Sequence, residues 1–182
     1  KPGDVLILTK PVGTGIILAG HKLGMAQEKD IPEALGFMKL LNRSGAEVMK
    51  NFNICGATDI TGFGLAGHAL KMAKASGVSI RLSMKKVPLI GSAYSLLEAG
   101  CIPGAAFRNL DYADKDTDCD ANLDYNLKMA AFDAQTSGGL LMSVAPGSAD
   151  MVLSGLHSCG LVHSAIIGEV VERGKKFIYL YM

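Results

Sequence analysis

The stretch Thr58-Asp59-Ile60-Thr61-Gly62-Phe63-Gly64-Leu65 puts one carboxylate and two hydroxyls directly before glycines that open a helical pattern. Leu65, Ala69, Met72 and Ala73 then recur at helical spacing until Gly77 stops the pattern, so Thr58, Asp59 and Thr61 are predicted on a tight turn entering a helix N-terminus. Such a turn presents unpaired N–H groups and the positive end of a helix dipole, which suits phosphate, and Gly62 and Gly64 would let a bulky anion approach the backbone. Asp59 would repel a bare phosphate. The carboxylate fits if a hard cation lies between them, because Mg2+ takes one or two carboxylates together with phosphate oxygens. The same residues also fit a plainer role, with Asp59 or Thr61 capping the helix amides. The local sequence leaves both open.

The surrounding elements follow from periodicity and turn residues. Asp4 to Thr9 reads as a buried strand, followed by Lys10-Pro-Val-Gly13-Thr14-Gly15 and an apolar helical stretch to Ala26. That glycine turn lacks both the G-x-x-x-x-G-K-[ST] and the G-x-G-x-x-G patterns, which favours a tight strand-to-helix connection, with Lys10 either reaching an anion or solvated. Ile31 to Asn51 reads as one long amphipathic helix with Leu35, Met38, Leu41, Val48 and Met49 on its apolar face. His68 falls on the buried face of the helix after Gly64, where a hydrogen-bonded core histidine is expected.

Val78 to Ser83 alternates as a strand, and Pro88 precedes a short helix to Ala99. The segment 100–124 is irregular and acidic. Asp114, Asp116, Asp118 and Asp120 evoke a calcium loop, but Cys119 and Tyr125 stand where its glycine and glutamate belong, which leaves a solvated, mobile loop. Thr136-Ser-Gly-Gly139 reads as a turn, with hydroxyls and amides able to line an anion site, releasing the strand Leu140 to Val144. A helix from Pro146-Gly147 to about Cys159 and two strands, Ala165 to Val171 and Lys176 to Tyr181, complete the pattern, with a hairpin expected at residues 172–175. The predicted class is α/β (α+β): a mixed β-sheet covered by helices in layers, in a single domain over 1–182.

Composition narrows the function classes. With 49% apolar and 19% charged residues the chain is globular, and a net charge of +1 gives no footprint for nucleic acid or an anionic membrane. No apolar run approaches the roughly 18 residues of a spanning helix. Cys55, Cys101, Cys119 and Cys159 are too scattered for a zinc site or disulfide framework, pointing to reduced thiols and a cytoplasmic, soluble protein. Few aromatics and 9 Met imply an aliphatic and methionine core, with room for an exposed apolar face.

Three segments carry a family resemblance. Ala57 to His68, Leu8-Thr-Lys-Pro-Val-Gly-Thr-Gly15 and Asp133-Ala-Gln-Thr-Ser-Gly-Gly-Leu-Leu141 together resemble the selenophosphate synthetases (selenide, water dikinases), of the aminoimidazole ribonucleotide synthetase-like superfamily. The resemblance covers the carboxyl-terminal half of that enzyme and implies a larger parent whose amino-terminal catalytic and dimerising half lies upstream. It implies conversion of selenide, ATP and water to selenophosphate, AMP and phosphate for selenocysteine and selenouridine synthesis, in a homodimer with ATP between the two halves. It further implies that Asp59 is a Mg2+ ligand and that Thr58, Thr61, Gly62 and Gly64 contribute supporting nucleotide contacts. The family's Cys or selenocysteine nucleophile belongs to the other half, so no catalytic residue is assigned here, and this part alone is expected to be inactive. The alternatives are another ATP-dependent member of the superfamily, of purine-synthesis, thiamine-phosphate kinase or hydrogenase-maturation type, or a non-catalytic binding module.

Overall fold

The computed structural model describes residues 1–52, 54 and 56–182. The strands are β1 (Val5–Leu8), β2 (Gly56–Asp59), β3 (Ser79–Ser83), β4 (Thr117–Cys119), β5 (Leu140–Val144), β6 (Ala165–Val171) and β7 (Ile178–Tyr181). The α-helices are α1 (Thr14–Lys22), α2 (Asp30–Lys39), α3 (Arg43–Asn51), α4 (Gly64–Ser76), α5 (Ala93–Glu98), α6 (Gly104–Ala113), α7 (Tyr125–Phe132) and α8 (Ala149–Ser158). One mixed sheet runs β2-β5-β1-β6-β3-β7-β4, antiparallel from β2 to β3 and parallel where β7 meets β3 and β4. This is the layered α/β architecture expected.

Alternation along the strands sorts the core into two layers. Leu6, Leu8, Ile80, Leu82 and Leu141 face a large apolar layer shared with α1, α2 and α4 to α7. Ile7, Met142 and Val144 face a smaller one beneath α3 and α8. On that second face, towards β3 and β7, polar side chains take over: Arg81 pairs with Glu169 at 3.0 Å and lies 5.0 Å from the Tyr181 ring.

The helix expected from Ile31 to Asn51 is in fact two. α2 ends at Lys39, Leu40 turns extended at ψ 116°, and α3 begins at Arg43. The break follows from the layering, since α2 buries Ala34 in the larger layer and α3 buries Val48 in the smaller, and one straight rod cannot serve both. Leu35 and Leu41, expected on the buried face, are exposed.

Lys10 fastens this break, and it neither meets solvent nor faces an anion. Its side chain is buried, and Nζ donates to Phe37 O (3.3 Å), Leu40 O (2.5 Å) and Ser137 O (2.9 Å). Three ammonium hydrogens thus meet three carbonyls, two of them at the electronegative C-terminal end of α2. Burial holds the Lys10 ammonium below the usual lysine range.

Two further expectations fail for topological reasons. β6 and β7 do not form a hairpin, because β3 lies between them, with Ile80 paired to Val170 on one side and Ile178 on the other. The connection crosses the end of β3, where Ser79 Oγ donates to Lys176 O (2.6 Å) and accepts from Gly174 N (2.9 Å). The segment 100–124 is not a solvated loop: α6 buries Ala106, Asn109 and Ala113, β4 pairs with β7, and Asp116 bonds Lys74 Nζ at 2.5 Å. α7, absent from the sequence reading, starts where Asp124 Oδ1 accepts from Leu127 N at 2.9 Å. Cys101, Cys119 and Cys159 are free thiols, and Cys55 lies outside the described residues. No helix among the described residues is long and apolar enough to cross a membrane.

Lys10→Met keeps the apolar stem but strips three carbonyls of their donor. It is expected to destabilise the fold by about 3 kcal/mol in urea denaturation. A loss below about 1 kcal/mol would mean that water replaces the ammonium without cost.

Candidate functional site

The strand register brings three distant segments to one end of the sheet. Asp59 at the end of β2 pairs with Leu140 at the start of β5, and Leu8 at the end of β1 pairs with Leu141. The segment 133–140 then ties the other two together. Gln135 N donates to Thr61 O (3.0 Å), Ile60 N to Gly139 O (2.9 Å), and Leu140 N to Thr9 Oγ1 (2.8 Å). A side chain at Gly139 would place Cβ 2.6 Å from Lys10 N and 2.8 Å from Thr9 Oγ1, so only glycine permits this crossing.

Two helix N-termini open near this junction, and their difference locates the site. α1 is capped from far along the chain: Gln135 Oε1 accepts from Gly13 N (3.0 Å), Thr14 N (3.2 Å) and Thr14 Oγ1 (3.1 Å), while Asp133 Oδ2 accepts from Gly15 N (3.1 Å). Gln135 Nε2 completes the clamp on Asp133 O (2.8 Å) and Asp133 Oδ2 (2.9 Å). The amides of Gly13, Thr14 and Gly15 are thus committed, and this glycine turn is a connection, not an anion cradle. In the turn at 136–139, Thr136 N donates to Thr14 Oγ1, and Ser137 O and Gly138 O accept from Lys10 Nζ and Asn42 Nδ2.

α4 has no such cap. Its N-cap residue is Phe63, which offers no acceptor, and no side chain caps the helix among the described residues. Neither Asp59 nor Thr61 therefore serves as the cap that the sequence also allowed. Thr58 and Asp59 lie on β2 instead of on the turn itself, which occupies residues 60–63. The Asp59 side chain is exposed on an edge strand, and among the described residues no hydrogen bond or ion pair engages its carboxylate. Thr58 Oγ1 bonds Asp59 O at 3.2 Å. Gly62 is exposed and has open space where a Cβ would stand.

Gly64 plays a different part from the one its position suggests. It is buried with φ 71°, a Cβ there would lie 2.8 Å from Phe132 C, and its amide donates to Thr61 O (3.0 Å). It shapes the turn and leaves the open positions to Thr58, Asp59, Thr61 and Gly62. His68 is buried, as expected for its helix face, with Nε2 3.0 Å from Thr61 Oγ1. Burial first, then the Lys71 ammonium, hold its imidazole below the usual histidine range, against the pull of Asp59.

Asn109 is the residue that the sequence reading missed. From α6, its Nδ2 donates to Gly62 O and to Phe132 O, both at 2.9 Å, fixing the turn against α7. A lone asparagine in an apparently acidic loop gave no signal for this. A cavity of about 530 Å³ lies elsewhere, at the opposite end of the sheet between Asp4, Phe52, Val78 and Ser143. Asp4 is already engaged there by the Ser143 hydroxyl at 2.7 Å, so the cavity offers little convergent chemistry. Among the described residues no group of three or more His, Cys, Asp or Glu could hold a metal.

Asp133 links the site to pH. Its carboxyl is fully buried, Oδ1 has no partner, and burial pushes its pKa up to about 7 from 3.8. The unfolded chain gives up this proton near 3.8 while the folded chain keeps it to about 7. The stability it contributes is therefore full below 3.8 and falls by up to about 1.4 kcal/mol per pH unit as pH rises towards 7. Denaturation at pH 5, 6 and 7 should show this slope in the unsubstituted chain and its loss in Asp133→Asn. The same slope in both would place the titration elsewhere.

Comparison with known proteins identifies the family of the chain. Residues 1–180 match the family described as AIR synthase related protein, C-terminal domain. The chain is 47% identical over 173 residues to a selenide, water dikinase of Porphyromonas gingivalis, covering 94% of this chain and 49% of that protein. It is 40% identical over 178 residues to a selenide, water dikinase of Clostridioides difficile, covering 98% and 51%. The chain thus spans about half the length of the curated relatives it matches. Among solved structures, HypE from E. coli superposes with a TM-score of 0.70 at 23% identity, covering 99% of this chain and 47% of that one, a likeness of fold. The chain belongs to the AIR synthase related protein family, as a C-terminal domain.

Proposed function

We propose that this chain is the carboxyl-terminal half of a selenide, water dikinase, an ATP-dependent phosphotransferase making selenophosphate, AMP and phosphate from selenide, ATP and water. Support comes from the identity to two proteins of that name and from the position of Asp59. The observation that carries the reading is an exposed carboxylate, unengaged among the described residues, beside a helix N-terminus without a side-chain cap. A structural carboxylate would be expected to find one of those amides.

In this reading Asp59 gives one oxygen ligand to Mg2+, and the remaining ligands come from nucleotide phosphates, water and the amino-terminal half of the parent enzyme. Bound Mg2+ would neutralise charge on the phosphates during transfer. Thr58 and Thr61 hydroxyls and the Gly62 backbone line the approach to phosphate oxygens, and Gly64 sets the turn that presents them. ATP lies between the amino-terminal and carboxyl-terminal halves of a cytoplasmic, homodimeric enzyme, and the product serves selenocysteine and selenouridine synthesis. The nucleophile lies outside this chain, so the chain supplies binding and orientation and is inactive alone.

Asp59→Asn in the full-length enzyme tests the assignment. The amide keeps the size but is a poor ligand for a hard cation, so a rate loss of at least about a hundredfold, equivalent to ~2.7 kcal/mol, is expected, with partial rescue by Mn2+. The melting temperature should hardly move, because the carboxylate makes no bond among the described residues. Retained activity would remove Asp59 from the site. Selenide-dependent AMP formation separates this enzyme from superfamily members that release ADP, and an inert full-length protein would favour a binding module.

A further inference from the structure

His68 is buried one turn into α4, and its ring meets Phe63 edge-on, with centroids 5.9 Å apart and planes at 71°. Phe63 is itself covered by the Lys71 ammonium, 3.7 Å from its ring centre, and lies 5.1 Å from the ring of Tyr112. Packing therefore fixes where the imidazole points. Its Nε2 lies 3.0 Å from Thr61 Oγ1, and that hydroxyl has no other hydrogen-bond partner among the described residues.

A hydroxyl has one hydrogen to give and two lone pairs to receive. If Thr61 gave its hydrogen to Nε2, the hydroxyl would have only lone pairs to offer an anion arriving at the N-terminus of α4, and these repel a phosphate oxygen. If Nε2–H donates instead, the Thr61 hydrogen is free to point outward past Gly62. The charged groups acting on the ring are Lys71, on the same helix, and Asp59, on β2, and burial keeps the imidazole neutral near pH 7, with one N–H and one lone pair.

We propose that His68 is a positioning residue whose Nε2–H donates to Thr61 Oγ1 and turns the Thr61 hydroxyl outward, as a hydrogen-bond donor to an anionic phosphate oxygen at the N-terminus of α4. The proposal rests on the nucleotide-phosphate reading of the site. It goes further by giving Thr61 a defined donor role and naming the side chain that enforces it.

Two measurements test it. Long-range 1H–15N NMR on the chain reports the His68 tautomer directly. The Nε2–H form is expected, and the Nδ1–H form would overturn the proposal whatever the enzyme does. In the full-length enzyme, Thr61→Val and His68→Phe should each raise KM for MgATP about tenfold, with a smaller effect on kcat. The double variant should be no worse than either single one, because His68 acts through Thr61. His68→Gln, which can still donate, should recover to within about threefold. Independent effects that multiply, or a His68→Phe variant that melts earlier with unchanged KM, would make His68 a core residue and nothing more. Asp59→Asn is the control: if it stays active, the site reading itself fails, whereas if it is inactive while the His68 and Thr61 effects multiply, only the present proposal fails.

Discussion

A buried ammonium must be satisfied by the protein, since water cannot reach it, and the whole end of the sheet that carries the candidate site is arranged around that requirement at Lys10. Its three carbonyl partners come from the end of α2 and from the turn at Ser137. Ser137 holds φ 52°, a conformation that a residue with a side chain adopts at some cost, and its carbonyl is one of those Lys10 secures. The same turn passes the constraint onward through Gln135 N to Thr61 and through Gly139 O to Ile60. A lysine two residues past the strand next but one to that of Asp59 thus governs the backbone on which Asp59 and Thr61 are displayed.

The contrast between the two helix ends has a general basis. Both α1 and α4 begin in glycine-rich turns, and by composition either could hold an anion. The chain fills α1 with its own Gln135 and Asp133, satisfying the amides internally and making that end part of the framework. Phe63 at the corresponding position of α4 leaves that end without a side-chain partner among the described residues. A function read from glycine spacing alone would have weighted the two alike. The discriminating residues lie more than a hundred positions away in sequence for α1.

Much of the fold was legible because it is written locally. The alternation of Val78 to Ser83, the αL stop at Gly77 and the buried helix face bearing His68 all reflect periodicities of a few residues. What escaped were features decided by distant partners. The single helix predicted over 31–51 breaks because its halves serve opposite faces of the sheet, and nothing within those residues records where the sheet edge falls. The hairpin at 172–175 had suitable turn residues, yet β3 comes between β6 and β7, with Ile80 and Leu82 paired to Ile178 and Leu180. The acidic stretch concealed α6 because its buried face is made of alanines and an asparagine, which carry little hydrophobic contrast. For the site, Asp59 and the turn glycines stood out by type and spacing. Lys10, Gln135 and Asn109 acquire their roles only through long-range hydrogen bonds.

The placement of β7 also shapes how the molecule can be assembled during synthesis. β4 joins the sheet only through β7, so the segment containing α6 and β4 is made long before the strand that anchors it. Until residues 178–181 emerge, β4 has no neighbour, and the edge of β3 that will receive β7 is open. Non-local pairings of this kind are slow to form and leave unpaired strand edges available to other chains in the meantime.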